Sequence, residues 1–255
     1  MAVQEVLKVS SKRNDFILIA HRGGLQHRPE NTLAAFRFAA QRGIDWVECD
    51  VRLSGDGVPV LVHDERLPDP NGGMRAVGEL SYRQLKRIDF GNGESVLRLE
   101  ELLSRFRNRL RFDIEVKELE AAERVLNLIE EHRLGDRAVV TSFIPEALQV
   151  VQEHAPNLAR GLLVDRVFGR LVSGRSAIKA AILLGCSWFL PHFHSLSRGT
   201  ISAAHAEGLR VIPWTVNRPE EALKLIDNGV DGLISDRPVD LLPAVGGRTM
   251  ASEPI

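Results

Sequence analysis

The chain has 255 residues, a formal net charge of −1 and 26% charged residues of both signs. That length accommodates one large domain or two small ones and lies near the ~250 residues of an α/β barrel. Balanced charge excludes a general attraction to nucleic acid or to an anionic membrane, and no apolar run approaches the ~18 residues that read as a spanning helix.

Residues 1–15, MAVQEVLKVSSKRND, are a lead-in without the apolar core of a signal peptide. FILIA at 16–20 is a short continuous apolar run, as fully buried parallel strands are. His21-Arg22-Gly23-Gly24 ends it, with glycines that permit a sharp turn. A helix follows from Leu33 to about Gln41, capped by Asn31 or Thr32 and ended by Gly43. Next come WVECDVRL at 46–53 and the returning VPVLVHD at 58–64, joined at Ser54-Gly55-Asp56-Gly57, where Asp-Gly is a hairpin signal. The Pro- and Gly-rich 69–78 reads as loop, followed by helical stretches at 81–88 and 99–106. RFDIEVK at 111–117 is a strand. From there strands at 138–143, 160–164, 187–190, 210–215 and 232–235 alternate with helices at 121–132, 145–154, 176–184, 197–207 and 219–228. The tail 241–255 shows no periodicity and is a candidate for disorder.

Apart from the returning hairpin strand, these make eight β-units, which point to a (β/α)8 TIM barrel over 16–240 with a small hairpin extension after the second strand. A doubly wound sheet is the alternative, and it lacks a G-x-G-x-x-G after the first strand. Cys49 and Cys186 both fall in apolar, strand-like runs, as buried free thiols do in a reducing compartment. The expectation is a cytoplasmic protein without a transmembrane segment and without a nucleic-acid partner.

Strand side chains alternate faces. Val47, Cys49, Val51 and Leu53 therefore share an apolar face, and Trp46, Glu48, Asp50 and Arg52 the opposite one. If Leu53 pairs with Val58, Val60 stands opposite Val51 and His63 opposite Glu48. The 111–117 strand divides in the same way, Phe112, Ile114 and Val116 against Arg111, Asp113, Glu115 and Lys117. On its own the hairpin also reads as a solvated edge, and an ion-pair network is a further alternative. In a barrel, however, the C-terminal strand ends carry the site. There His21, Arg22, Glu48, Asp50, His63, Glu115 and Lys117 converge on one rim, where unpaired charge is costly.

Glu48, Asp50 and Glu115 are an all-oxygen donor set suited to one divalent cation, Mg²⁺ or Ca²⁺. Arg22 and Lys117 supply positive charge for a phosphodiester. Two imidazoles supply an acid and a base. This is equipment for metal-assisted phosphoryl transfer.

The segments HRG at 21–23, PENT at 29–32, ExD at 48–50, HD at 63–64 and ExK at 115–117 resemble those of the glycerophosphodiester phosphodiesterase family. SF at 142–143, WTVN at 214–217 and GVDGLISDRP at 229–238 match its later parts, so the resemblance spans about 16–240. It implies a TIM barrel that hydrolyses glycerophosphodiesters to sn-glycerol 3-phosphate and an alcohol. His21 and His63 would be the acid/base pair, Glu48, Asp50 and Glu115 the cation ligands, and Arg22 and Lys117 the phosphate binders. The loop ERLPDPNGG after Asp64 departs from the family's Asp-Arg-Thr-Thr-like run, and Leu97 stands where the family often has proline.

Trp214 at the seventh strand is a candidate wall for the glycerol carbons, or ordinary barrel packing. Glu30 either supports the site or favours the helix start. His192 and His194 are candidate substrate contacts or plain loop residues. His27, His132, His154 and His205 are expected at the surface and Cys49 in the core. A lysophospholipase D, with an apolar rim from residues such as Leu67, Phe168 and Phe193, is the enzymatic rival. A non-catalytic phosphodiester-binding barrel is the other, and all the histidines and carboxylates it would lack are present.

Overall fold

The computed structural model describes residues 16–26, 29–69, 72–165 and 174–246; the 1–15 lead-in, His27, Phe168 and the tail beyond 246 lie outside these described residues. Eight βα repeats follow one another. The strands are Ile17–Ala20 (β1), Trp46–Leu53 (β2), Arg111–Val116 (β3), Ala138–Ser142 (β4), Ala159–Val164 (β5), Trp188–Pro191 (β6), Arg210–Val211 (β7) and Gly232–Ser235 (β8). The helices are Leu33–Gln41 (α1), Leu99–Phe106 (α2), Ala122–Glu131 (α3), Pro145–His154 (α4), Gly174–Leu183 (α5), Arg198–Ala206 (α6), Pro219–Asp227 (α7) and Pro238–Val245 (α8). The strands are parallel and neighbour one another in chain order, with β8 returning to β1.

Between β7 and β8 the closure rests on backbone hydrogen bonds. Asp231 N–H donates to Val211 O (2.9 Å), Ile234 N–H to Pro213 O (3.0 Å) and Val216 N–H to Ile234 O (2.9 Å). The seventh strand is shorter than the expected 210–215 because Pro213 has no N–H to give the ladder.

Apolar residues form two layers. Outside the strands, Val47, Cys49, Val51, Phe112, Ile114 and Val116 pack with the helix faces, including Phe36, Leu102 and Leu148. Inside, Ile17, Ile19, Val139, Leu163, Trp188, Leu190, Ile212 and Ile234 fill the barrel with Trp46. The alternation read from the sequence in β2 and β3 is therefore real: one face joins the outer core and the other enters the barrel.

Two expectations on the region after β2 are corrected. The hairpin register is Val51↔Leu61, Arg52↔Val60 and Leu53↔Pro59, one residue away from that expected. Ser54 N–H donates to Val58 O (3.0 Å) and Gly57 N–H to Ser54 O (2.8 Å), so the loop has three residues and not two. Gly57, at φ +76, takes the left-handed position that closes such a loop. The extension is also larger than a hairpin. Pro59–Leu61 pairs with Leu97–Arg98, and Met74–Ala76, expected as loop, pairs with Arg66–Pro68. Val60, Val62, Leu67, Val77, Leu80, Leu85, Ile88 and Val96 give this insertion its own small core.

The tail differs as well. α8 runs through the expected boundary at 240, with Pro238 at its first turn and Leu241 and Val245 buried in the outer core. Its internal Pro243 obscures the helical period in the sequence.

Gly232 pairs with Ile17 where the barrel closes, and a methyl there would run into the Ile17 carbonyl oxygen and side chain. Gly232→Ala is expected to destabilise the fold by about 1–3 kcal/mol, the usual range for overpacking. Thermal unfolding checks this; an unchanged melting temperature would show that the closure yields freely.

Candidate active site

β2 and β3 pair in parallel with Glu48 beside Asp113 and Asp50 beside Glu115. Trp46, at the start of β2, stays in the apolar floor. Glu48 and Asp50 lie nearer the C-terminal end; Glu48 lines the cavity there, while Asp50 is fully buried behind it. One oxygen each from Glu48, Asp50 and Glu115 lies within 4.8 Å of the others, and all three residues are buried.

Burial, then the charges of Asp50 and Glu115, push Glu48 well above the usual carboxylate range. Glu115 is raised by burial and by Asp50, with Lys117 pulling it back. Burial would raise Asp50 too, but the charges of Arg22 and Lys117 outweigh it and hold Asp50 low.

His21 and Arg22 sit in a single helical turn that ends β1, with Arg22 in the left-handed region at φ 53. This backbone turns the Arg22 N–H onto Glu48 Oε2 (2.8 Å). The guanidinium spans two acids, Nε to Asp50 Oδ2 (3.1 Å) and Nη1 to Glu30 Oε1 (2.8 Å). Glu30 thus supports Arg22. Of the two cap candidates, Thr32 caps α1, accepting from Ala35 N–H. Asn31 instead donates its Nδ2–H to Asp50 Oδ2 (2.9 Å). Lys117 Nζ lies 2.7 Å from Glu115 Oε1 and 3.4 Å from Asp50 Oδ1.

His21 Nδ1 is 2.6 Å from Asp236 Oδ1, and its Nε2 is 3.9 Å from Glu48 Oε2. His63 is more open, its Nδ1 2.9 Å from Asp64 Oδ1. With the corrected register it does not stand opposite Glu48. The ladder pairing continues only to Val62, whose N–H donates to Asp50 O (3.0 Å), and the chain then bends at His63. Arg52 Nε–H holds that bend at the His63 carbonyl (3.0 Å). His21, Arg22, Glu48, His63, Glu115, Lys117 and Trp214 all line one cavity of about 330 Å³.

A hard divalent cation fits this donor set. Every donor is an oxygen. Among the described residues Glu48 Oε1 and Asp50 Oδ1 are buried without a hydrogen-bond partner, the latter with only the charge of Lys117 Nζ at 3.4 Å. Such groups are costly to bury unless something pairs with them.

Several residues at or near the site were not singled out from the sequence. Asn31 passes there for a helix cap. Phe143 lies edge-on to Trp214, with ring centroids 5.4 Å apart, and lines the cavity. Asp113 also lines it; burial pushes its pKa up to about 7 against the hydrogen bond from Thr141 Oγ1 (2.6 Å). Asp236 and Asn217 lie behind His21. Each lies in a segment that resembles the family, Asn217 in WTVN and Asp236 in GVDGLISDRP, but nothing in those segments pairs either residue with His21. Trp214 donates its indole N–H to Leu190 O (2.8 Å) while lining the cavity. His192 packs edge-on against Trp214, centroids 5.2 Å apart, and neither His192 nor His194 lines the cavity. His154 and His205 are exposed and His132 is half-buried. Cys49 is buried, while Cys186 is only partly covered.

Buried carboxylates beside two imidazoles and two cations, at the C-terminal mouth of a (β/α)8 barrel, equip a hydrolase for an anionic ester. Comparison supplies the family. Residues 21–240 match the Glycerophosphoryl diester phosphodiesterase family, and the chain belongs to it. Its class is that of a phosphodiester hydrolase. A glycerophosphodiester phosphodiesterase from Caldanaerobacter subterraneus is 29% identical over 242 residues, 90% of this chain and 97% of that protein. An Oleispira antarctica phosphodiesterase, solved in complex with the product sn-glycerol-3-phosphate, superposes with a TM-score of 0.82 at 30% identity, covering 90% of this chain and 96% of that one. The Thermotoga maritima glycerophosphodiester phosphodiesterase gives 0.75 at 25%, covering 89% and 97%.

Glu48→Gln keeps an acceptor for the Arg22 N–H and removes one of the crowded charges. In EDTA at pH 8 it is expected to melt above the wild type, by roughly 1 kcal/mol of added stability, as relief of a strained site does. Scanning calorimetry checks this; a lower melting temperature would mean that the cluster is already balanced by Arg22 and Lys117.

Proposed function

We propose that the protein hydrolyses glycerophosphodiesters to sn-glycerol 3-phosphate and an alcohol, with one divalent cation, Mg²⁺ or Ca²⁺, held by Glu48, Asp50 and Glu115. The observation that carries this is the buried carboxylate triad, in reach of Arg22 and Lys117, with two of its members, Glu48 and Glu115, lining a cavity shared with His21 and His63. When bound, the cation would polarise a phosphoryl oxygen and offset charge that builds on the phosphate. Three carboxylates, one dication, Arg22 and Lys117 leave one net positive charge, which a singly charged diester neutralises.

The protein's own groups do the rest. Arg22 and Lys117 orient the phosphate. One of His21 and His63 takes the proton of the attacking hydroxyl, and the other gives a proton to the leaving alkoxide. One P–O bond forms and one breaks, and a water is consumed overall. Trp214 and Phe143 form an aromatic wall for the glycerol carbons. Two free thiols, Cys49 and Cys186, both pushed upward chiefly by burial, accord with a reducing, cytoplasmic compartment. Among the described residues no helix is long and apolar enough to cross a membrane.

A recess of about 200 Å³ beside His63, lined in part by Leu61, Val62, Leu67 and Phe90, supports a second reading. An acyl chain there would make the protein a lysophospholipase D.

Release of glycerol 3-phosphate from glycerophosphocholine should stop in EDTA and return with Mg²⁺ or Ca²⁺. Turnover of a lysophospholipid alone would favour the second reading, and turnover of neither would reject both. His21→Ala and His63→Ala should each lower kcat by about 10²–10⁴, the usual contribution of a general acid or base. Circular dichroism should show both variants folded; full activity in either would remove that histidine from the reaction.

A further inference from the structure

Asp236 stands behind the site and does not line the cavity. Its Oδ1 is 2.6 Å from His21 Nδ1 and its Oδ2 is 2.7 Å from Asn217 Nδ2. The Asn217 amide is fixed from its other end. Its Oδ1 accepts the backbone N–H of Asp236 (2.9 Å) and the hydroxyl of Ser235 (3.2 Å). An oxygen facing a backbone donor cannot exchange places with an NH₂, so the Asn217 NH₂ must face the Asp236 carboxylate.

Burial would raise Asp236, but the hydrogen bond and charge of His21, and the hydrogen bond from Asn217, keep it below the usual carboxylate range. An ionised carboxylate only accepts. The His21 nitrogen facing it must therefore carry the proton, which in the neutral ring leaves the lone pair at Nε2, the nitrogen on the Glu48 side.

Among the described residues the other imidazole has no such support. The partner of His63 is its chain neighbour Asp64, whose side chain is 73% exposed. Exposed pairs of this kind contribute little.

We propose that Asp236, clamped by Asn217, is the positioning residue of His21: it fixes the Nδ1–H tautomer and confines proton exchange to Nε2. The catalytic meaning of this rests on the hydrolysis proposed above, while the tautomer does not. At Nε2 the ring takes a proton from the attacking hydroxyl or, once charged, returns one to the leaving alkoxide. In either direction the Nδ1 proton stays in place and Asp236 remains ionised.

Asp236→Asn tests the arrangement without changing its shape. Asn217 presents an NH₂, so the new amide must turn its carbonyl to Asn217 and its own NH₂ to His21 Nδ1. The neutral ring is then forced to carry its proton on Nε2, and no carboxylate supports the charged ring. The expected loss in kcat is about 10²–10⁴, as for the same change behind a serine-protease histidine, with KM changed far less.

The direct readout is ¹⁵N NMR of histidine-labelled protein at a pH where the rings are neutral, with His21 assigned by its disappearance in His21→Gln. Wild-type His21 should be the Nδ1–H tautomer, and in Asp236→Asn it should switch to Nε2–H. An Nε2–H ring in the wild type overturns the proposal, and that spectrum needs no variant of Asp236 to fold. An unchanged tautomer and kcat in Asp236→Asn overturns it too. An Nδ1–H ring in a protein that releases no glycerol 3-phosphate upholds the positioning and rejects the hydrolysis.

Discussion

Three carboxylates with oxygens within 4.8 Å of one another, buried in a barrel mouth, are the constraint on which the rest depends. Burial and mutual repulsion both push a carboxyl group upward, and Glu48 and Glu115 are raised by them. Asp50 stays low chiefly because Arg22 and Lys117 reach it from the ends of the two flanking strands. Each support is itself held. Arg22 is held by its left-handed backbone and by Glu30, and Lys117 by Glu115. Such buried networks are costly if one member is removed, which makes the cluster a poor source of stability and an apt cradle for positive charge.

The barrel makes this arrangement tolerable by separating polarity along its axis. Trp46 and Trp188, ring centroids 5.2 Å apart, belong to an apolar floor, while Glu48 and Asp50 lie one and two inward positions beyond Trp46 on β2, with Glu115 of β3 beside Asp50. Around the outside, the apolar faces of β2 and β3 are committed to the helix layer. Neither strand can slip by one residue without exchanging acids for aliphatic side chains, so the fold that buries the charges also fixes their register. The insertion after β2 adds His63 from outside the parallel sheet, on a bend and not on a barrel strand. The two histidines consequently differ. His21 is anchored by a fixed carboxylate–amide pair, whereas His63 is half-open to solvent.

The strongest sequence signals were those with a short period. Alternation in WVECDVRL and RFDIEVK was enough to divide core from site, and both strands behave as that pattern implies. The hairpin register was lost because Asp-Gly serves equally in two- and three-residue loops, and the choice lies in the backbone of Gly57. The α8 helix was hidden by Pro243. The seventh strand was overextended because a proline in a β-like run still reads as strand. Asp236 lies in the GVDGLISDRP segment, yet its pairing with His21 is not legible there. It meets His21 across 215 residues of chain, a contact that exists only because β8 closes against β1. Asn31 shows the opposite failure, since a helix-cap role explained it well enough that its bond to Asp50 went unseen.

The central claim is that the triad exists to hold one divalent cation, and equilibrium binding tests it most directly. Protein stripped with EDTA would be titrated with Mg²⁺ and, separately, with Ca²⁺ by calorimetry, beside Asp50→Asn. Saturation at one cation per chain, lost in Asp50→Asn, is the predicted result. No binding of either ion, or binding that Asp50→Asn leaves intact, would contradict it and leave the triad to be balanced by Arg22 and Lys117.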